Sequence, residues 1–336
     1  MATDRAAPSE AIGLDRAPDP ALAAFERPRA EPTRLAVLAD PHVTPDAEGT
    51  WKVYHRSEAR LRAAIADVNR RTRGERARGV DAVVCAGDLT KDGTPAEFAT
   101  VDPILDAAEP PVVAVPGNHD VPKPEWDDHD TPPPAEFARR YAADGLPFVE
   151  RVGGVDLVGL DSAGHSSLSS SHEGLVGPAQ RDWLAETLPA LETPIVVLHH
   201  GVAHPREHTG PFPDAGFYQV RDADPLRGIL ARGGAGLVVS GHIHWPAIAR
   251  LDGPREVIAP SVCSFPPSYL LVDVTPTGTT VRLVLLADRV GMVEAYAHAR
   301  RGNDHGRGIA RWADATIGGD LLVAAERLAA TRYRVR

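Results

Sequence analysis

Lysine is almost missing from this chain of 336 residues: Lys52, Lys91 and Lys123 are the only ones, and arginine supplies the rest of the fixed positive charge. Acidic residues outnumber the basic ones and leave a formal net charge of −10 at pH 7. That balance argues against a broad surface for a nucleic-acid backbone, although a local basic patch fits within it. Cysteine is scarce too. Cys85 and Cys263 lie far apart, each in an apolar run, so they form no close-spaced metal motif and read as small core residues. Long apolar runs are also missing. The longest are strand-sized and give no support to a membrane-spanning helix. The opening residues, Met1-Ala2-Thr3-Asp4-Arg5, lack the apolar core of an export signal, so the expected compartment is the cytoplasm.

What is present is globular material: 43% hydrophobic and 24% charged residues are enough to fill a core. Residues 1–33 are rich in Ala, Pro, Asp, Glu and Arg without sustained periodicity, and are expected to form a disordered or loosely docked arm. From Arg34 the pattern sharpens. Leu35–Ala39, Val80–Ala86 and Pro111–Val115 read as buried strands, with helices between them over Lys52–Arg73 and Pro95–Ala108. Thr94 caps the second helix, with Pro95 at its first position and Glu97 at its third. Strands that are apolar throughout imply a parallel sheet covered on both faces.

Further on, a helix is expected over Ala135–Ala143 and two strands around Gly153-Gly154. A helix over Ala179–Leu191 precedes the strand Pro194–Leu198, and a helix over Pro225–Ala231 precedes the strand Ala235–Ser240. Beyond Trp245, the runs Ile248–Leu251, Val257–Cys263, Tyr269–Val274 and Thr280–Leu286 read as one antiparallel sheet continuing the core. No break interrupts residues 34–287, which are expected to be one domain. Residues 288–336 form a helical C-terminal extension in two pieces, split by Gly302–Gly308.

Five apolar strands run straight into a polar ligand group: Asp40-Pro41-His42, Gly87-Asp88, Asn118-His119-Asp120, His199-His200 and His242-Ile243-His244. Taken singly, each is a common polar turn. Together they are hard to assign to chance, because carboxylates and imidazoles are costly to desolvate unless paired or metal-bound. Carboxylate and imidazole donors suit Mn, Fe or Zn. There are more candidates than the roughly four ligands of one tetrahedral site can use, so two ions sharing a carboxylate fit better.

In this order, the blocks resemble the calcineurin-like metallophosphoesterase superfamily over about Arg34–Trp245. Gly87-Asp88-Leu89-Thr90-Lys91-Asp92-Gly93-Thr94-Pro95 and Val115-Pro116-Gly117-Asn118-His119-Asp120 are most similar to its class III cyclic-nucleotide phosphodiesterase branch. That branch usually follows its double histidine with prolines, where this chain has Gly201-Val202. The resemblance implies an α/β fold: a four-layer α/β/β/α sandwich of two mixed β-sheets. It implies dinuclear metal-dependent phosphoester hydrolysis, with a diester favoured over a monoester. Asp40, His42 and His244 would hold one divalent or mixed-valence ion, Asn118, His200 and His242 the other, and Asp88 would bridge them. A metal-bridging hydroxide would attack phosphorus. His119 would serve the leaving oxygen, and Asp120 would orient the His119 loop. His199 would then either support the ligands from behind or be packed.

The implied substrate is a small-molecule phosphoester. A phosphomonoesterase or a repair-type nuclease could use the same ligands, and the acidic charge counts against the nuclease. A non-catalytic scaffold is the distinct alternative, opposed by the complete ligand set. The remaining histidines read blandly. His55, His129, His298 and His305 are expected to be solvated, and His165, His172, His204 and His208 to be surface residues of loops that open near the site. Trp51, Tyr54 and Trp245 read as packing.

Overall fold

Neighbouring residues of one strand face opposite layers, and this alternation builds the molecule. In β2 (Thr33–Leu38), Leu35 and Val37 face the space between two sheets, while Ala36 and Leu38 face helices. The computed structural model describes residues 19–45, 56–74, 78–123, 130–142, 145–168, 170, 172–204 and 218–317.

The first sheet contains β1 (Ala21–Phe25), β2, β3 (Ala82–Ala86), β4 (Val112–Val115), β11 (Ser268–Thr275) and β12 (Gly278–Leu285), in the order β1-β12-β11-β2-β3-β4. Strands β2, β3 and β4 run parallel, and β11 lies antiparallel to β2. The second sheet contains β5 (Phe148–Val152), β6 (Val155–Gly159), β7 (Pro194–Val197), β8 (Leu237–Ser240), β9 (Ala247–Arg250) and β10 (Arg255–Ile258), in the order β5-β6-β7-β8-β10-β9. Here β6, β7, β8 and β10 run parallel between antiparallel edges.

Leu35, Val37, Val84 and Val113 of the first sheet share one core cluster with Leu157, Ile195, Val197 and Val239 of the second. The outer face of the first sheet packs on α1 (Ser57–Thr72), α2 (Pro95–Leu105) and α3 (Pro134–Tyr141) through Leu61, Ile65, Phe98, Val101 and Phe137. The outer face of the second packs on α4 (Gly177–Thr187), α5 (Ala223–Arg232), α6 (Arg289–Arg301) and α7 (Asp304–Ile317) through Leu184, Leu226, Leu230, Met292 and Ile309. This is the four-layer sandwich of two mixed sheets. The capping box of α2 is in place: the Thr94 hydroxyl accepts from Glu97 N–H, and the Glu97 carboxylate accepts from Thr94 N–H. Among the described residues, no helix is long and apolar enough to cross a membrane.

Three expectations need correction. The N-terminal arm is built in from Asp19: β1 pairs with β12, Leu22 is fully buried between the sheets, and Asp19 bridges to Arg71 on α1. Residues 1–18 lie outside the described part. The four late strands do not make one sheet. β9 and β10 complete the second sheet, and the chain then crosses to lay β11 and β12 in the first. The C-terminal extension begins as core, with Met292, Ala295, Ala299, Ile309 and Ala310 buried under the second sheet. Its second expected piece, beyond Gly308, is helical as far as Ile317, the helix starts earlier at Asp304, and residues 318–336 lie outside the described part.

Candidate metal centre

Five strands deliver the candidate ligands, all from their carboxyl ends: β2, β3 and β4 from the first sheet, β7 and β8 from the second. Open α/β sheets place their chemistry at such ends. Here two sheets packed face to face turn both sets of ends to one place.

The backbone is strained there. Among the described residues, six non-glycine positions have positive φ, and five are candidate ligands: Asp40 (50°), His42 (43°), Asp88 (54°), His242 (68°) and His244 (61°). Such conformations cost about 1–3 kcal/mol each and persist only where the surroundings hold them. The loops also pass very close to one another. A Cβ on Gly87, itself at φ 88°, would lie 2.5 Å from His199 Nδ1, and one on Gly117 would lie 2.1 Å from Asp88 Oδ1. Larger residues at these two positions would push ligands apart.

The buried donors form two overlapping groups. In the first, His42 Nε2 and His244 Nε2 are 3.0 Å apart, and Asp40 Oδ1 is 3.9 and 3.3 Å from them respectively. In the second, His199 Nε2 lies 3.1 Å from Asn118 Oδ1 and 3.1 Å from His242 Nδ1. Asp88 joins the groups: its Oδ2 is 3.5 Å from His42 Nε2 and 3.3 Å from His199 Nε2. Each group draws ligands from both sheets.

The sequence reading preferred His200 to His199, and the hydrogen bonds favour the opposite choice. His199 Nδ1 faces the Ala86 carbonyl at 2.8 Å, so that nitrogen donates and Nε2 turns inward toward Asp88 and Asn118. His200 stands beside His199 and His242 in one donor triad, but its own bonds lead elsewhere. Its Nδ1 and backbone N–H both meet the Ser162 hydroxyl, at 2.9 and 3.1 Å. Adjacent residues leaving a strand point in opposite directions, and only His199 has a ring nitrogen on the Asp88 carboxylate. Accordingly, His199→Ala should lose a large part of the bound metal and His200→Ala should keep it, read by elemental analysis after gel filtration. The reverse pattern would restore His200 as the ligand.

The donor set fits divalent cations. His42 and His244, and likewise His199 and His242, aim ring nitrogens at each other at hydrogen-bond distance, an arrangement that calls for a proton or a cation between them. His242 Nε2 and His200 Nε2 are buried with no protein hydrogen-bond partner. Burial opposes ionisation of Asp88, but the imidazoles of His199, His119 and His42 outweigh it and hold the carboxyl well below its usual range. Burial likewise opposes charge on His199, yet the Asp88 carboxylate prevails and raises that imidazole to about 9. A cation at this point would take over the role of that proton.

His119 and Asp120 stand beside these groups. His119 N–H donates to Asp88 Oδ1 at 2.8 Å, its Nδ1 meets the Lys91 carbonyl at 2.5 Å, and its ring stands edge-on to His42 with centroids 4.7 Å apart. Its ring also lies close enough to His42 and Asp88 to complete a further donor triad. Asp120 accepts from Leu89 N–H, Thr90 N–H, the Thr90 hydroxyl and Gly117 N–H, which ties the Asp88 loop to the Asn118 loop. Burial and the Asp88 charge push its carboxyl up to about 6.

Sequence reasoning missed several supporting groups. The Ser261 hydroxyl donates to the Asp40 carbonyl, and Ser264 pairs with His244 Nδ1 at 2.9 Å; both lie on the crossover from β10 to β11. A cavity of about 260 Å³ opens beside Asn118, lined by Val121, Lys123, His165, Ser166 and Leu168. Lys123 is buried, and its Nζ meets the Asp92 carbonyl at 3.2 Å. His172 Nδ1 lies 3.5 Å from Asn118 Nδ2. His305, expected to be solvated, is instead set against His244 with ring centroids 5.1 Å apart. Trp245 is fully buried against Phe265, as packing. His55, His129, His208, Trp51 and Tyr54 lie outside the described residues.

A family model described as calcineurin-like phosphoesterase matches residues 33–246. A protein of Rhodococcus erythropolis named "Probable cyclic nucleotide phosphodiesterase" is 27% identical over 189 residues, 54% of this chain and 58% of that protein. The match therefore spans little more than half of the relative's length. Among solved structures, GAP50, the anchor in the inner membrane complex of Plasmodium, is similar over 82% of this chain and 96% of its own, at 14% identity and a TM-score of 0.46. The phosphopantetheinyl hydrolase of Mycobacterium tuberculosis is similar over 68% of this chain and 90% of its own, at 16% identity and a TM-score of 0.45. The matched span takes in every candidate ligand from Asp40 to His244 and ends where β9 begins, and on this ground the chain belongs to the calcineurin-like phosphoesterase family.

Proposed function

We propose that this protein is a metal-dependent phosphoester hydrolase that works with two divalent cations and prefers diesters. The observation that carries the reading is Asp88 Oδ2, which faces His42 of one donor group and His199 of the other at 3.5 and 3.3 Å. One group would comprise Asp40, His42, His244 and Asp88, and the other Asp88, Asn118, His199 and His242. Bound divalent cations supply Lewis acidity to phosphoryl oxygens and lower the pKa of water.

The chain's own residues do the rest. With Nδ1–H of His119 held on the Lys91 carbonyl, Nε2 is the nitrogen that carries a proton to the leaving oxygen. The His119 N–H bond to Asp88 fixes that ring relative to the shared carboxylate. Asp120, bonded through both oxygens, is a positioning residue for the two loops. The cavity beside Asn118 takes the leaving group.

The preference for a diester is supported by the Gly87–Pro95 and Val115–Asp120 blocks and by the likeness to the Rhodococcus protein. Gly201 departs from the branch pattern for a local reason: its N–H donates to the Tyr218 carbonyl at 3.1 Å, a bond that proline would forfeit. Protein loaded in turn with Mn²⁺, Fe²⁺ and Zn²⁺ should hydrolyse bis(p-nitrophenyl) phosphate faster than p-nitrophenyl phosphate, and EDTA should abolish both activities. Faster monoester turnover would move the assignment to a phosphomonoesterase. No hydrolysis of either ester with any of the three metals would sink the enzyme reading.

A further inference from the structure

Helix α7, outside the span that the family model matches, touches the metal centre with one side chain. His305 stands edge-on to His244 at an interplanar angle of 83°, and its Nδ1 meets the Tyr218 hydroxyl. The Tyr218 ring in turn lies 5.1 Å from the His242 ring. One tyrosine–histidine pair therefore packs on both histidines of the His242-Ile243-His244 turn.

That turn needs external support, because His242 and His244 both sit in left-handed conformations, at φ 68° and 61°. From within the family span, Asp40 accepts from His242 N–H at 3.1 Å. From beyond it come Ser264, on His244 Nδ1, and His305. The helix that carries His305 is itself anchored: Ile309, Ala310 and Ala313 are buried under the second sheet, and Tyr296 of α6 donates to Asp314.

We propose that His305 is a positioning residue that holds His242 and His244 in ligating geometry, which makes α7 a working part of the metal centre. The proposal rests on the reading that these two histidines hold metal. Outer partners that orient metal-bound histidines typically contribute tenfold to a hundredfold in affinity.

The test uses the full chain and Zn²⁺, titrated against a chromophoric chelator. His305→Ala should bind Zn²⁺ about 10- to 100-fold more weakly than wild type. His305→Gln, whose amide can keep the hydrogen bond to the Tyr218 hydroxyl, should recover most of that loss. Ile309→Ala, which creates a void in the same helix without touching the turn, should lower the melting temperature and leave Zn²⁺ affinity near wild type. If His305→Ala does not fold, Tyr218→Phe reads the same contact, and it should weaken Zn²⁺ binding while keeping the ring against His242. Wild-type affinity in His305→Ala would overturn the proposal. So would an equal loss in Ile309→Ala, which would reduce His305 to packing. A wild-type protein that holds no Zn²⁺, Mn²⁺ or Fe²⁺ would overturn the metal reading itself, and this proposal with it.

Discussion

Asp88→Asn is expected to lower metal-dependent phosphoester hydrolysis by about 10³-fold or more, equivalent to about 4 kcal/mol of transition-state stabilisation. The carboxylate is buried and ionised, held so by the imidazoles of His199, His119 and His42. Its Oδ2 faces a histidine of each donor cluster, His42 and His199, within 3.5 Å. The amide is nearly isosteric and can still accept the His119 N–H bond, so the loops around Gly87 and Gly117 should keep their packing. What is lost is the negative charge between the two proposed cation positions, at a depth where charge is poorly screened. Turnover of bis(p-nitrophenyl) phosphate, with elemental analysis of the same samples, reads both consequences. Full metal content and wild-type turnover in the Asp88→Asn protein would contradict the shared-carboxylate reading.

His119→Ala should behave differently. Its metal content should stay at the wild-type level, while turnover of esters with poor leaving groups falls by about 10²- to 10⁴-fold, the usual contribution of a positioned general acid. p-Nitrophenolate leaves without a proton, so hydrolysis of bis(p-nitrophenyl) phosphate should suffer far less. The split follows from the geometry. His119 reaches Asp88 through its backbone N–H, and the Lys91 carbonyl orients its ring, so removing the ring removes a proton carrier and leaves the Asp88 carboxylate in place. Because the ring also lies within reach of His42 and Asp88, the metal analysis is decisive. Loss of metal in His119→Ala would make His119 a ligand.

The parts of this molecule that could be read from its sequence are those in which one short segment carries the whole signal. The strand cores of β2, β3, β7 and β8 are apolar and β-branched because they are buried on both faces, and each candidate ligand block follows its strand directly. What escaped depends on distant partners. Whether β9 and β10 join the sheet of β11 and β12 is set by the crossover from β10 to β11, and no local pattern in the four strands reports it. Strand β1 offers only Leu22 and Phe25 as sizeable apolar groups, too little for a periodic signal.

The choice between His199 and His200 rests on the Ala86 carbonyl and the Ser162 hydroxyl, each remote in sequence. His305 was hidden by two glycines. Gly306 and Gly308 read as a helix break, but Asn303 caps the helix by accepting from Gly306 N–H at 3.0 Å, and both glycines are buried against the core. Tertiary packing overrides local propensity there, and His305 lies one turn before Ile309 on the packed side.

The central claim is that two cations flank Asp88, one bounded by Asp40, His42 and His244, the other by Asn118, His199 and His242. An anomalous-difference map from crystals of the Mn²⁺-loaded protein tests it most directly. Two peaks are expected roughly 3.5–4 Å apart on either side of the Asp88 carboxylate, with His199 and not His200 in contact with the second. A single peak, or a second peak coordinated by His200, would contradict it.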